Sequence, residues 1–283
     1  MNGATEKEIT ICDIKDVGEM RLIEGIEKEV WGVADLDVVP VTQLVAARHA
    51  GGVLIGAFCD GEMIGFAYGF PGYEGGHVTI HSHMLAVKSA YRNHNLGYRL
   101  KLAQRDRALA HGITRMTWTF DPLQSLNAHF NFAKLGVLSD DYKLDFYGES
   151  TSFLHRTGTD RLWVTWLLAS DRVSRRLARE EKRVDIESAT TLVYVESDDS
   201  PRSNDSMEAL TREFALVEIP ANIVAVEQSN GEMAALWREA TRRAFTRAME
   251  AGFLVEDFLR GSRDSKPFGA YVLRRGKKIG DFR

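Results

Sequence analysis

One segment limits what this chain can fold into more than any other: an apolar strand leads into a polar turn, and the turn leads directly into a basic helix. The strand ends at 85–87, and the turn of 92–97 carries no apolar side chain except Leu96. The first backbone N–H groups of a helix lack partners within the helix and lie at the positive end of its dipole. Arg92 and Arg99 add positive charge nearby. The segment therefore predicts a binding site for an anion such as a pyrophosphate.

Two motifs, in this order, resemble the signatures of the GNAT acyltransferase superfamily. The first signature is Arg/Gln-x-x-Gly-x-Gly/Ala after a strand; Arg92 and Gly97 match it, and Asn95 replaces the middle glycine. Asparagine is the best non-glycine residue for a left-handed backbone position, so the turn is expected to close. In the second signature an Asn opens a short helix that ends in Lys-x-Gly, as from Asn127 to Gly136. The resemblance implies the mixed α/β GNAT fold.

Further segments resemble one group of GNAT acyltransferases from bacteria and archaea. They are 65–72 (GFAYGFPG), 81–85 (HSHML), 97–104 (GYRLKLAQ) and 118–123 (WTFDPL). Some members of that group N-succinylate or N-acetylate amino acids. The resemblance implies that acetyl-CoA or succinyl-CoA is the co-substrate and that the acceptor is the amine of a small metabolite such as an amino acid, with no metal. The alternative is a non-catalytic acyl-CoA-binding or regulatory module.

The resemblance assigns acyl-CoA binding to the end of the strand, the turn and the start of both motif helices. The strand backbone is expected to bind the pantetheine arm, and the N–H of Leu85 or Ala86 to polarise the thioester carbonyl. Asn127 is expected either to bond to the cofactor arm or to cap its helix. The expected acyl-CoA-binding residues are Leu85, Ala86, Val87, Arg92, Asn93, His94, Asn95, Leu96, Gly97, Tyr98 and Asn127.

His81 and His83 are the candidate general bases for removing the proton of the attacking amine. They lie two residues apart on a predicted strand, which puts them on one face together with Leu85. Imidazole titrates near neutral pH, so either histidine can accept a proton through a water. The alternative is that both histidines only hydrogen-bond the adjacent loop.

The general acid is less clear from the sequence. Many GNAT enzymes have a tyrosine two residues before the lysine of the second signature, and this chain has Phe132 there. Either Tyr142 or Tyr147 donates the proton to the leaving thiolate instead, or the thiolate leaves unassisted. Ordinary sheet packing is the alternative role of both tyrosines. Trp31 is expected to line the acceptor pocket or to pack in the core.

The pattern of apolar residues predicts a first α/β lobe over 1–169 and a second α/β lobe over 170–283, with a linker at about 170–188. The resemblance implies that the first lobe is the GNAT domain. In the first lobe the apolar pattern predicts a hairpin at Asp60-Gly61, a loop over 69–76, a helix over 98–111 and strands over 115–120 and 142–148. In the second lobe an acidic loop is expected over 196–205. From residue 214 the order is strand, helix, strand, strand, which suggests a degenerate half-repeat of the GNAT domain.

Composition excludes several classes of partner. The chain has 283 residues, a formal net charge of −4 and a pI near 6.1, so nothing global attracts nucleic acid or an anionic membrane. Cys12 and Cys59 are too few for a disulfide framework or a metal cluster. No apolar run is long enough to span a bilayer. We expect a cytoplasmic protein with a small-molecule amine as partner, and a homodimer remains open.

Overall fold

The computed structural model describes residues 8–148, 158–180 and 186–282. The chain separates into two compact units, Met1–Thr117 and Trp118–Arg283, which are described one at a time. The boundary between these compact units differs from the predicted boundary between a GNAT domain of 1–169 and a second lobe of 170–283. The predicted domains were defined by sequence motifs rather than by compactness, and they stay a prediction. No helix of the described ranges is long and apolar enough to cross a membrane.

The first unit contains five strands in the order β1-β2-β3-β4-β5. They are antiparallel neighbours except for β4 and β5, which are parallel. The predicted hairpin at Asp60-Gly61 is confirmed, because both residues have the positive φ angles, 51° and 81°, that a tight hairpin turn needs. The strands are β1 (Ile9–Asp13), β2 (Val53–Cys59), β3 (Glu62–Glu74), β4 (His77–Val87) and β5 (Arg115–Phe120).

The loop predicted over 69–76 is wrong, because β3 continues to Glu74. Pro71 pairs with Ile80 and Glu74 with His77, so the second half of β3 is held by a long antiparallel register with β4. Only Gly75-Gly76 forms the turn, and both glycines have positive φ angles. Tertiary pairing therefore overrides the local turn preference of a Pro-Gly and Gly-rich segment.

Three helices cover this sheet: α1 (Val17–Trp31), α2 (Val41–His49) and α3 (Leu96–Ala110). Helix α1 is bounded by local signals, since the Asp16 carboxylate accepts a hydrogen bond from the Glu19 N–H and Gly32 closes the helix at φ 59°. Its apolar face packs with α2 and the sheet. That core contains Ile14, Met20, Ile23, Ile26, Leu44, Leu54, Met63, Phe66 and Tyr68.

In the second unit the strand order is β5-β7-β6-β11-β12-β10-β8-β9. The strands are β6 (Leu138–Lys143), β7 (Arg161–Leu167), β8 (Thr190–Val195), β9 (Pro201–Ser203), β10 (Phe214–Pro220), β11 (Phe253–Arg263) and β12 (Lys266–Arg275). The helices are α4 (Ser125–Ala128), which continues as a π-helix over His129–Leu135, α5 (Asp171–Leu177), α6 (Ile223–Ser229) and α7 (Gly231–Glu250). The predicted mixed α/β class is confirmed.

Two predicted elements of this unit are wrong in extent. The strand expected over 142–148 is β6, which ends at Lys143 and gives way to a turn with Asp145 at a positive φ angle of 42°. The acidic loop expected over 196–205 contains β9, which pairs with β8 through Ser203 and Val193. A three-residue strand carries too little sequence pattern to be seen without its partner.

The strand order supports the predicted half-repeat. In the chain order β10-α7-β11-β12, the last strand β12 lies between β10 and β11. In the chain order β5-α4-β6-β7, the last strand β7 likewise lies between β5 and β6. This shared connectivity favours duplication of a half-domain, which stays a prediction because topology alone does not establish common origin.

Candidate active site

The polar turn folds as the sequence predicts. A 3-10 segment over Ser89–His94 leads to Asn95, whose φ of 54° and ψ of 22° are left-handed, and α3 begins at Leu96. The Asn95 side chain makes no cap hydrogen bond to the helix. The N–H groups of Leu96, Gly97 and Tyr98 belong to the first turn, so they have no intrahelical acceptor. These three N–H groups are the donors that the predicted anion site requires.

Gly97 is not required by the geometry of the turn. Its φ is not among the positive values, and a Cβ atom built on it meets only Leu85 Cδ2, at 3.6 Å. That distance is an ordinary van der Waals contact. The backbone therefore tolerates a side chain at this position.

The two arginines of the turn differ in what they contact. Arg92 is exposed, and its Nε donates to the Val87 carbonyl oxygen over 3.4 Å. Arg99 donates an N–H to the Ile9 carbonyl oxygen over 2.8 Å, so part of its guanidinium is committed to β1 rather than to the turn. His94 is exposed on the turn, whereas the side chain of Asn93 lies outside the described part of the chain.

One edge of strand β4 pairs with β3, whereas the other edge pairs with β5 at first and is then left open. The Lys88 N–H donates to the Ile64 carbonyl oxygen over 2.9 Å, so the backbone groups of Lys88 and Ala86 point toward β3. Backbone groups alternate along a strand, so those of Leu85 and Val87 point to the other edge. There the described parallel register with β5 includes only Ile80 with Met116 and His81 with Thr117. Of the two N–H groups predicted to polarise the thioester carbonyl, that of Leu85 is therefore the one on the open edge.

A β-bulge at His83 decides which side chains share a face. Tyr68 pairs with Met84 while the next residue of β3, Gly69, pairs with Ser82, so His83 is the extra residue. The two imidazoles remain neighbours, with ring centroids 6.4 Å apart. The prediction that Leu85 shares their face is wrong, because the bulge shifts the alternation and turns Leu85 toward Gly97 of α3.

The imidazole of His81 is held in place and kept neutral. Its Nδ1 lies 3.1 Å from Thr117 Oγ1, and the ring of Phe70 lies 5.4 Å from its own. Burial lowers the pKa of His81 to about 4, with smaller contributions from His83 and Lys101. The pKa of His83 is also lowered by desolvation, although its side chain is exposed at one side. Both imidazoles are therefore uncharged at neutral pH.

A polar network that the sequence analysis did not identify lies beneath β4. The Lys101 ammonium of α3 donates to Ser82 Oγ over 2.7 Å, and Ser82 Oγ donates to Gln104 Oε1 over 2.8 Å. Lys101 is only 4% exposed, and its burial lowers its pKa to about 7. The network anchors β4 next to the bulge. In the sequence, the only indication of this network is the spacing of Lys101 and Gln104 on a helix that follows the strand.

In the second signature, Gly136 ends the π-helix at a left-handed φ of 74°, as predicted. Asn127 is exposed within α4 and does not cap it, since Gln124 occupies the cap position. The alternative capping role is therefore wrong. Phe132 is fully buried and packs against Phe120 and Tyr271, at ring distances of 6.2 and 5.8 Å.

The two candidate acids have different surroundings within the second unit. Tyr142 donates its hydroxyl proton to Asp160 Oδ2 over 2.9 Å, and burial and this carboxylate raise the pKa of Tyr142 well above its usual value. Tyr147 is 45% exposed, with its hydroxyl 3.5 Å from Thr119 Oγ1. In the first unit, Trp31 is partly buried and lies edge-on to Phe66 at 6.1 Å, on the core side.

Comparison with known proteins indicates the same class of protein as the sequence motifs of the site do. Residues 20–137 match the model of the acetyltransferase (GNAT) family. The match covers the uncapped helix start, the open strand edge, both histidines and the second signature. Over these residues the chain is similar to the GNAT acetyltransferases, which confirms the resemblance and the predicted class of acyltransferase enzyme. No curated protein matches the chain in sequence.

Solved GNAT structures cover slightly more than half of the chain. The ribosomal-protein-S18-alanine N-acetyltransferase of Escherichia coli is 13% identical, with 57% of this chain and 94% of that chain covered and a TM-score of 0.45. Arabidopsis thaliana Naa50, in complex with a bisubstrate analogue, is 15% identical over 56% and 97%, with a TM-score of 0.44. A GNAT acetyltransferase from Elizabethkingia anophelis with acetyl-CoA bound is 19% identical over 56% and 97%, with a TM-score of 0.40.

Proposed function

We propose that this enzyme transfers an acetyl or succinyl group from acyl-CoA to the amine of a small metabolite, such as an amino acid, by direct attack. The observation that carries the proposal is the continuity of the open edge of β4 with the uncapped start of α3. One end binds an anion and the other offers unpaired strand hydrogen bonds. An acyl-CoA has a pyrophosphate and an amide-containing arm in that order.

The backbone would do most of the binding. The N–H groups of Leu96, Gly97 and Tyr98 bind the pyrophosphate, and the helix dipole adds to the attraction. The edge groups of Val87 and Leu85 then hydrogen-bond the pantetheine arm in the manner of an added strand. The Leu85 N–H donates to the thioester oxygen, where negative charge develops as the amine attacks.

His81 would take the proton that the amine must lose. The amine nitrogen attacks the thioester carbon, the carbon–sulfur bond breaks, and the coenzyme A thiolate leaves with the electron pair. The nitrogen gives one proton, through a water, to the neutral imidazole of His81. The Thr117 hydroxyl lies 3.1 Å from Nδ1 and holds the orientation of that ring.

Neither tyrosine is expected to be essential as an acid. The Tyr142 hydroxyl donates a hydrogen bond to Asp160, and Tyr147 is exposed beside Thr119, so we expect Tyr142→Phe and Tyr147→Phe each to lower kcat by less than tenfold. Tyr142→Phe is also expected to lower Tm, because it removes a hydrogen bond to a buried carboxylate. Steady-state kinetics and thermal unfolding measure both. A hundredfold loss of kcat at unchanged Tm in either variant would instead assign that tyrosine as the general acid.

The transfer itself is tested by coenzyme A release. Purified protein is incubated with acetyl-CoA or succinyl-CoA and a panel of amino acids, amino-acid amides, simple amines and short peptides, and a thiol reagent reports the freed coenzyme A. Mass spectrometry then identifies the N-acylated product. Release that depends on an amine supports the proposal. Tight coenzyme A binding without turnover for any amine would favour the alternative of an acyl-CoA-binding module.

A further inference from the structure

A buried lysine of the first unit has no part in the transfer as proposed so far. Lys101 lies on α3, four residues after Gly97, and is only 4% exposed. Its ammonium donates to two neutral oxygens, Ser82 Oγ over 2.7 Å and Gln104 Oε1 over 3.5 Å. Burial of an ammonium costs folding free energy, and it lowers the pKa of Lys101 to about 7. Packing alone therefore does not explain a lysine at this position.

The lysine reaches β4 at the point where backbone pairing of that strand is weakest. Ser82 lies between His81 and the bulged residue His83, and the bulge interrupts the regular ladder with β3. On the other edge of β4, the described register with β5 ends at His81. Ser82 Oγ accepts from Lys101 and donates to Gln104 Oε1 over 2.8 Å. The Ser82 side chain therefore ties this stretch of β4 to α3.

Strand β3 leaves room for this network. Gly69 pairs with Ser82, and a Cβ atom built on Gly69 would lie 3.1 Å from Gln104 Nε2. The Gln104 amide thus occupies the volume that a side chain on β3 would need. Its Nε2 is enclosed and has no hydrogen-bond partner among the described atoms. The contribution of Gln104 therefore comes from its oxygen, which accepts from both Ser82 and Lys101.

We propose that Ser82 and Lys101 are positioning residues, which hold the bulge of β4 so that the His81 imidazole faces the reacting amine. This inference rests on the proposed function. Neighbouring side chains of a strand point to opposite faces, so a Ser82 side chain anchored to α3 turns His81 to the other face, where Thr117 Oγ1 lies 3.1 Å from its Nδ1. A shift of the bulge by one residue would exchange the faces of the side chains around it. Since α3 also carries the N–H groups proposed for the pyrophosphate, the network fixes the base relative to the cofactor.

Kinetics with an amine that the enzyme acylates provide the first test. Ser82→Ala and Lys101→Met are each expected to lower kcat by about tenfold or more, because a misplaced base loses much of its effect, with coenzyme A affinity close to that of the wild type. Gln104→Glu keeps the acceptor oxygen and adds a charge that pairs with Lys101, so its kcat is expected to stay within about threefold of the wild type. Lys15→Met is the matched control, because it removes an exposed lysine of the same unit.

A double-mutant cycle separates positioning of the base from a general structural effect. If Ser82 and Lys101 act through His81, either substitution lowers kcat by less than about twofold when it is added to His81→Ala. A loss of the same size with and without His81 would overturn the inference, and so would a wild-type kcat in both Ser82→Ala and Lys101→Met. Thermal unfolding checks every variant. Ser82→Ala removes a single oxygen atom, so it carries the cycle if Lys101→Met does not fold.

The titration of His81, followed by NMR of its ring, is a readout that does not need turnover. Burial lowers the pKa of His81 most, and the charged groups that add to this effect are His83 on the same strand and Lys101 on α3. Phe70 of β3 and Thr117 of β5 face the ring without a charge. Lys101→Met is therefore expected to raise the pKa of His81, because the imidazolium is no longer repelled by the ammonium.

The exposed His94 gives the internal reference for these spectra. His81 ring signals that move in Ser82→Ala, while those of His94 stay in place, would show that the network sets the surroundings of the base. An unchanged His81 pKa in Lys101→Met together with unmoved ring signals in Ser82→Ala would refute the inference. If no amine is acylated yet the His81 signals respond to both substitutions, the proposed transfer fails while the hold of the network on His81 stands.

Discussion

Gly97→Asp is expected to weaken coenzyme A binding by a hundredfold or more while the protein stays folded. The new carboxylate would stand over the N–H groups that bind the pyrophosphate, and two like charges about 4 Å apart in a partly screened site repel by about 4 kcal/mol. The backbone at Gly97 accepts a side chain, since its built Cβ meets only Leu85 Cδ2 at 3.6 Å. An acidic residue in the first turn also favours the helix dipole. Titration calorimetry measures the affinity.

The matched control is Gly97→Asn, which has the shape of aspartate without its charge. If repulsion dominates, Gly97→Asn binds coenzyme A much more tightly than Gly97→Asp, and both have a Tm near that of the wild type. If both lose binding equally, the occupied volume is decisive and the anion site still stands. Unchanged affinity in Gly97→Asp would refute the placement of the pyrophosphate at the start of α3.

His81→Ala is expected to lower kcat by about a hundredfold, the range of a lost general base, with coenzyme A affinity close to that of the wild type. His83→Ala is the matched control, since it removes the same ring two residues away from an exposed position without a bond to Thr117. We expect a much smaller loss from it. Turnover within a few-fold of wild type for both variants, and for the double variant, would mean that neither histidine is the base.

The pH dependence gives an independent check on His81. Because its pKa is lowered to about 4, the imidazole is neutral above about pH 5 and protonates only as the pH falls through that value. The ratio of wild-type to His81→Ala turnover is therefore expected to stay constant from pH 6 to pH 9 and to fall in more acidic solution. A ratio that rises steeply between pH 6 and pH 8 would show that His81 titrates near neutrality and is less buried.

Elements with local signals were predictable from the sequence. Helix α1 begins at an Asp cap and ends at a Gly. Asn95 adopts the left-handed backbone conformation, which asparagine tolerates better than most other non-glycine residues do. The hairpin at Asp60-Gly61 follows from a dipeptide that accepts positive φ angles. The resemblance of the two signatures to those of the GNAT superfamily also predicted the class of enzyme. In each case the residues that determine the geometry lie within a few positions of one another.

Elements that depend on distant partners were not predictable. Residues 69–74 extend a strand only because β4 pairs with them, against the turn preference of Pro71-Gly72. The bulge at His83 moves Leu85 to the other face, and no residue type near it marks a bulge. Arg99 is drawn to the Ile9 carbonyl, a residue 90 positions away in sequence. Register and long-range hydrogen bonds are properties of two segments, so neither segment specifies them alone.

For this protein, then, the sequence by itself determined the left-handed turn and the uncapped helix start at which we propose that an acyl-CoA pyrophosphate binds, because both are local features. It also determined which two histidines lie near each other. The tertiary structure alone decided that His81 rather than His83 is anchored by Thr117 and that the open strand edge presents Leu85. The physical reason is that burial and pairing are set by the segments that pack around a residue, whereas backbone preference is set by the residue and its neighbours in the chain.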